Sequence, residues 1–172
     1  MSRRIVIAIV GAGRDSGTAV SNARELGRRI AENGWVLLSG GRDAGVMSAA
    51  NEGAKEVEGS LTIGILPDRE TAVSDAVGVA IVTGVGQARN NIIVLSADVV
   101  IACGVDGAGT ASEVSLAIKN EKPVILLAAG EDAIKFFKRI GGEHIHIADS
   151  PAAAALLVNK LLPASLIASR RP

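Results

Sequence analysis

Two glycine-rich segments carry the residues best suited to chemistry: Ser39-Gly40-Gly41-Arg42-Asp43-Ala44-Gly45-Val46-Met47 and Gly104-Val105-Asp106-Gly107-Ala108-Gly109-Thr110. Each follows an apolar run and opens into a helical pattern. A helix N-terminus presents orphan N–H donors and roughly +0.5 of an elementary charge, so an anion binds there without a lysine. Glycine lets backbone approach such a ligand closely. Between the two segments lies Gly84-Val85-Gly86-Gln87-Ala88-Arg89-Asn90-Asn91. It puts Arg89 in the first turn of an expected helix, where a cation opposes the dipole. That placement suits a phosphate clamp or a partner for Glu113, and Arg14 and Arg42 are further phosphate candidates. A purely structural account competes at each loop. Asp43 can cap the helix that follows it, and Thr110-x-x-Glu113 has the form of a capping box.

Other chemistries are poorly supported. Gly11-Ala12-Gly13-Arg14-Asp15-Ser16-Gly17-Thr18 looks like a dinucleotide loop. Its glycine spacing is off by one, however, and the second strand ends in Ser39-Gly40-Gly41 where an acidic residue should hold the ribose, so NAD is not expected. The chain has no G-x-x-x-x-G-K-[ST] motif, which removes a P-loop reading. The lone Cys103 excludes an internal disulfide and suits a reducing cytoplasm. His144 and His146 alternate along an expected strand, but no third ligand in a recognisable pattern makes them a metal site. With 18 basic and 18 acidic residues, no global field favours nucleic acid or a membrane surface. The aromatics are Trp35, Phe136 and Phe137 alone, too few for base stacking along a single strand. No apolar run approaches the length of a membrane span.

The elements that must position these loops alternate strand and helix from end to end. Strands are expected at Arg4–Val10, Trp35–Leu38, Leu61–Leu66, Val79–Val82, Val99–Cys103 and Pro123–Leu127, with an edge strand at His144–Ile147. Helices are expected at Val20–Asn33, Gly45–Glu56, Gly86–Ser96, Thr110–Asn120, Glu131–Ile140 and Pro151–Leu162. The polar stretch Pro67–Val77 reads as a mobile loop. Continuous rather than alternating apolar runs indicate strands buried on both faces. The fold class is α/β: a Rossmann-like three-layer sandwich with a mostly parallel sheet of about six or seven strands. A single domain covers 1–164 and a tail covers 165–172. In such a sheet, ligands bind beyond the carboxyl ends of the strands at a topological switch point. The loops Gly11–Thr18, Ser39–Gly45, Gly84–Asn90 and Gly104–Thr110 should therefore converge on one cleft.

In motif order and spacing, the chain resembles the Lonely Guy and DprA-like Rossmann superfamily. Within it, the chain is most similar to the molybdenum cofactor carrier protein family. Gly40-Gly41-Arg42-Asp43-Ala44-Gly45-Val46-Met47 matches that family's Gly-Gly-x-x-x-Gly-(Leu/Val)-Met loop, and Thr83-Gly84 with Ala88-Arg89-Asn90 matches its arginine turn. Asp98 through Glu113 matches its segment ending in Gly-Thr-x-x-Glu, here Gly109-Thr110-Ala111-Ser112-Glu113, followed by Lys122-Pro123-Val124. The resemblance, from about Ile5 to Leu127, implies a homo-oligomer, dimer or tetramer, that binds a phosphate-bearing small molecule. Molybdenum cofactor, a pterin with one phosphate, is the leading ligand. Gly11, Gly13, Gly40, Gly41, Gly45, Gly107, Gly109 and Thr110 would supply backbone or hydroxyl donors. Arg42, Met47, Arg89, Asn90 and Glu113 would complete the site.

Two departures bear on activity. Lonely Guy phosphoribohydrolases carry Pro-Gly-Gly-x-Gly-Thr-x-x-Glu and an Arg-Lys turn; here Gly104-Val105-Asp106-Gly107 and Arg89-Asn90 stand instead. Arg89 and Glu113, which match that family's catalytic pair, are retained. Cleavage of the N-glycosidic bond of a nucleoside 5′-monophosphate is thus the alternative to a carrier. The label lysine decarboxylase, attached to similar proteins, implies pyridoxal phosphate, for which the sequence offers no support.

Overall fold

The computed structural model describes residues 3–14 and 17–162; the expected tail at 165–172 lies outside them. Seven strands form one sheet: β1 (Val6–Gly11), β2 (Val36–Ser39), β3 (Leu61–Leu66), β4 (Val79–Val82), β5 (Val99–Cys103), β6 (Val124–Leu127) and β7 (Ile145–Ala148). They are ordered β4-β3-β2-β1-β5-β6-β7, and every neighbouring pair is parallel. The helices are α1 (Thr18–Glu32), α2 (Gly45–Lys55), α3 (Arg89–Ser96), α4 (Ala108–Lys119), α5 (Glu131–Gly141) and α6 (Pro151–Leu161). This is the expected Rossmann-like three-layer sandwich.

The apolar runs form buried strands because each contributes to a core on either side. Ile7 and Ile9 of β1, with Val99, Ile101 and Cys103 of β5, pack under α1, α2 and α6. The intervening Ala8, Val10, Val100 and Ala102 pack under α3, α4 and α5. Helix α1 ends as its Asn33-Gly34 signal predicts. Gly34 takes φ +66°, its N–H bonds the Ala31 carbonyl, and the Trp35 N–H bonds that of Ile30, a Schellman closure. At α6, Ser150 caps by accepting from the Ala153 N–H, with proline in the first turn.

Glycines let α1 and α2 approach at backbone contact. A Cβ at Gly53 would fall on the Arg24 carbonyl oxygen, and one at Gly27 on that of Ala50. Because backbone, not a flexible side chain, is the obstacle, Gly53→Ala should cost about 3 kcal/mol, the upper end for an overpacked core. Denaturant unfolding measures this; an unchanged midpoint would contradict the close approach.

Several local expectations are corrected. The stretch expected as one helix over Gly86–Ser96 divides into a 3₁₀ turn, Gly86–Ala88, and α3. The N-cap of α2 is Ala44, with no side-chain cap; Asp43 instead accepts from the Ser48 hydroxyl at 2.8 Å. Helix α4 begins at Ala108 with Gly107 as N-cap and no side-chain cap. Thr110 therefore lies inside the first turn, and the Thr110–Glu113 capping box does not form. His144 falls in a 3₁₀ turn before β7 rather than on the strand. The stretch Pro67–Val77 is tied down: Val73 bridges Arg42 in antiparallel fashion, the Asp43 N–H bonds the Ala72 carbonyl, and the Ser74 N–H bonds that of Gly41.

Candidate functional site

The sheet order reverses direction at β1, between β2 and β5. At the carboxyl ends of β1 and β5, loops cannot be covered by the helices that leave to opposite faces, and a crevice opens there. The crevice is a cleft of about 430 Å³. All four expected loops reach it. The β1 loop brings Gly11, Ala12, Gly13 and Arg14, and the β2 loop brings Gly40, Arg42 and Met47. The turn before α3 brings Gln87, Arg89 and Asn90, and the start of α4 brings Gly107, Gly109, Thr110 and Glu113. Ile9 and Val10 of β1 line the floor of the cleft at the strand end.

Arg89 dominates the electrostatics. As the first residue of α3, its side chain is turned inward and is only 4% exposed. Its Nε and Nη1 find no hydrogen-bond partner, and no ion pair within 4 Å joins it to Glu113 among the described residues. Burial lowers its pKa, Glu113 acts against that, and Arg42 adds to it. A buried guanidinium with unsatisfied donors is costly on its own; an anion would satisfy it. Gly40 makes its position possible: a Cβ there would stand 2.7 Å from Arg89 Nη1 and 2.6 Å from Met47 Sδ. The neighbouring Asn90, also buried, leaves its Oδ1 without a partner.

Glu113 projects from the second turn of α4 and is 8% exposed. Burial pushes its carboxyl up to about 7, with Arg89 pulling the other way. Freed from the capping role, it is available to the cleft. At the head of the same helix, a Cβ at Gly107 or Gly109 would meet nothing within 4 Å. Neither has positive φ, so packing demands glycine at neither. Their missing side chains leave the α4 N-terminus open. The Arg14 guanidinium reaches the Asp106 carbonyl at 3.4 Å across that mouth.

Two expected site residues do not line the cleft. Gly41, at φ +68°, packs on the Gly64 backbone, where a Cβ would come within 2.8 Å of its Cα. Gly45, at φ +51°, lies against the Ala12 carbonyl and the Arg14 backbone, and the adjacent Val46 N–H donates to Ala12 at 3.0 Å. Both shape the loop that presents their neighbours. Gly11 does double service, since a Cβ there would strike Val46 Cγ1 at 2.6 Å. Gln87 and Ala12 were missed as candidates; Gln87 lies in the arginine turn, two residues before Arg89, which was the available signal.

A model of the SLOG cluster4 family matches residues 4–155. The molybdenum cofactor binding protein of the phototrophic bacterium Rippkaea orientalis is 50% identical, with a TM-score of 0.89 over 94% of this chain and 99% of its own. The molybdenum cofactor carrier protein of Chlamydomonas reinhardtii is 46% identical, with a TM-score of 0.86 over 92% of this chain and 98% of its own. An uncharacterised protein of Archaeoglobus fulgidus is 41% identical over 121 residues, 70% of this chain and 78% of that protein. The chain belongs to the SLOG cluster4 family and is a relative of the molybdenum cofactor carrier proteins.

Proposed function

We propose that the cleft binds a phosphorylated heterocycle, and that this ligand is molybdenum cofactor, held for carriage or storage. One observation carries the reading: Arg89 is buried with two unpartnered guanidinium nitrogens on a cleft that the open N-terminus of α4 also lines. A phosphate between them receives charge-assisted bonds from Arg89 and backbone N–H donors from α4, with Arg14 and Arg42 adding charge. The volume, about 430 Å³, falls in the usual range for small-molecule sites. The ring system then lies against Ile9, Val10, Met47 and glycine backbone rather than an aromatic face. The relatives named as molybdenum cofactor binding and carrier proteins support the choice of ligand.

Anaerobic thermal unfolding tests it. Molybdopterin at 100 times its Kd should stabilise the protein by about 2.7 kcal/mol; no shift at saturating ligand would contradict the proposal.

A second reading, hydrolysis of a nucleoside 5′-monophosphate to free base, is favoured by Glu113. A carboxyl held at about 7 beside the phosphate donors can stabilise an oxocarbenium-like ribose or orient water. Chromatography of a nucleotide panel separates the two. Base release that is lost in Glu113→Ala supports the hydrolase, and silence across the panel removes it.

A further inference from the structure

We propose that this cleft takes up its phosphate ligand together with a proton, Glu113 entering the complex as the neutral acid and donating a hydrogen bond to the ligand. The inference deepens the binding reading above and rests on it. Its basis is the arrangement of charge in the cavity. Glu113 and Arg89 line the same cleft, both are almost wholly buried, and they make no direct ion pair among the described residues. A dianionic phosphate placed on Arg89 therefore takes the cation for itself and faces the buried Glu113 carboxyl. Two anions so placed cannot both keep full charge cheaply. The proton goes to Glu113, which converts an acceptor into a donor for the ligand.

The surrounding groups leave Glu113 as the titrating member. From α3 comes Arg89, from the β2 loop Arg42 and from the β1 loop Arg14. From the loop before α4 comes Asp106, which meets Arg14 through its carbonyl. Strands β1, β5 and β6, also packed on α4, carry no Asp, Glu, Lys, Arg or His; the Cys103 thiol faces the opposite core, under α1. Helix α5 carries Glu131, Asp132, Lys135, Lys138 and Arg139, but Arg89 is the one charge that acts appreciably on Glu113. In the free protein Glu113 is already held at about 7 by burial. Uptake of a proton thus begins near neutral pH, and the ligand is gripped below neutrality and loosened above it.

Anaerobic calorimetric titration with molybdopterin between pH 7 and 8.5 tests this. Its phosphate is already dianionic there, since phosphomonoesters complete their ionisation near pH 6. The affinity of the unaltered protein is expected to fall by about tenfold per pH unit toward the alkaline end, as linkage to one proton requires. Glu113→Gln, which donates a hydrogen bond at every pH, is expected to bind with an affinity that does not change over the range. Equal affinity at both ends in the unaltered protein, or the same slope in Glu113→Gln, would overturn the proton coupling and leave the binding reading standing. No binding at any pH would remove both.

Discussion

Replacing Glu113 by Gln is expected to remove about 3 kcal/mol of pH-dependent instability. A carboxyl whose folded-state pKa is raised from 4.5 to about 7 keeps its proton in the native protein after the unfolded chain has lost it. The folded state therefore binds more protons between those values, and stability falls as pH rises through that window. The displacement corresponds to about 3 kcal/mol, fully expressed above pH 7. Urea unfolding at pH 5 and pH 8 should show a loss near this size in the unaltered protein and little of it in Glu113→Gln. His146, whose pKa is lowered mainly by burial, acts in the opposite sense, but it does so in both proteins and cancels in the difference. At Asp98 burial raises the pKa, but the Arg3 hydrogen bonds, the Val6 N–H and the charges of Arg3 and Lys122 together outweigh it and hold the carboxyl below its ordinary range, outside the window. An equal pH dependence in both proteins would mean that Glu113 is ionised as freely as a surface carboxylate.

Arg89→Met should separate stability from binding. The native protein buries two guanidinium nitrogens without partners, at about 1–3 kcal/mol for each unsatisfied group. Methionine fills much of the same space without charge, so the variant should unfold at higher denaturant concentration. The same change deletes two charge-assisted bonds to the ligand, each worth about 1.5–3 kcal/mol, so affinity should fall about 10²- to 10⁴-fold. A variant less stable than the parent would mean that Arg89 is a structural member of the fold. Unchanged affinity would move the phosphate away from it.

The fold was legible because its signals are redundant. Continuous apolar runs such as Val99–Cys103 indicate strands buried on both faces, and Asn33-Gly34 stops α1 as its chemistry requires. The convergence of the four loops followed from that topology, and eleven of the residues expected at the site line the cleft. What the sequence hid was which glycines line the cleft and which serve the backbone. Gly41 and Gly45 share a motif with Gly40, yet positive φ and contact with Gly64 and Ala12 account for them. The reverse holds at Gly107 and Gly109, where nothing in the protein fills the space. The role of Glu113 was equally ambiguous, because a two-residue shift in the start of α4 decides whether Thr110 caps. Helix boundaries are uncertain by that amount when read from sequence. The burial of Arg89 was suggested only by its unfavourable place at a helix start, and its lack of partners is a property of packing.

The most direct test of the central claim is a crystal structure of the protein with molybdopterin, grown anaerobically. The account predicts the phosphate within hydrogen-bond distance of the Arg89 guanidinium and of the backbone amides at the start of α4, with the pterin against Ile9, Val10 and Met47. A phosphate bound elsewhere, with Arg89 still unpartnered, would contradict it.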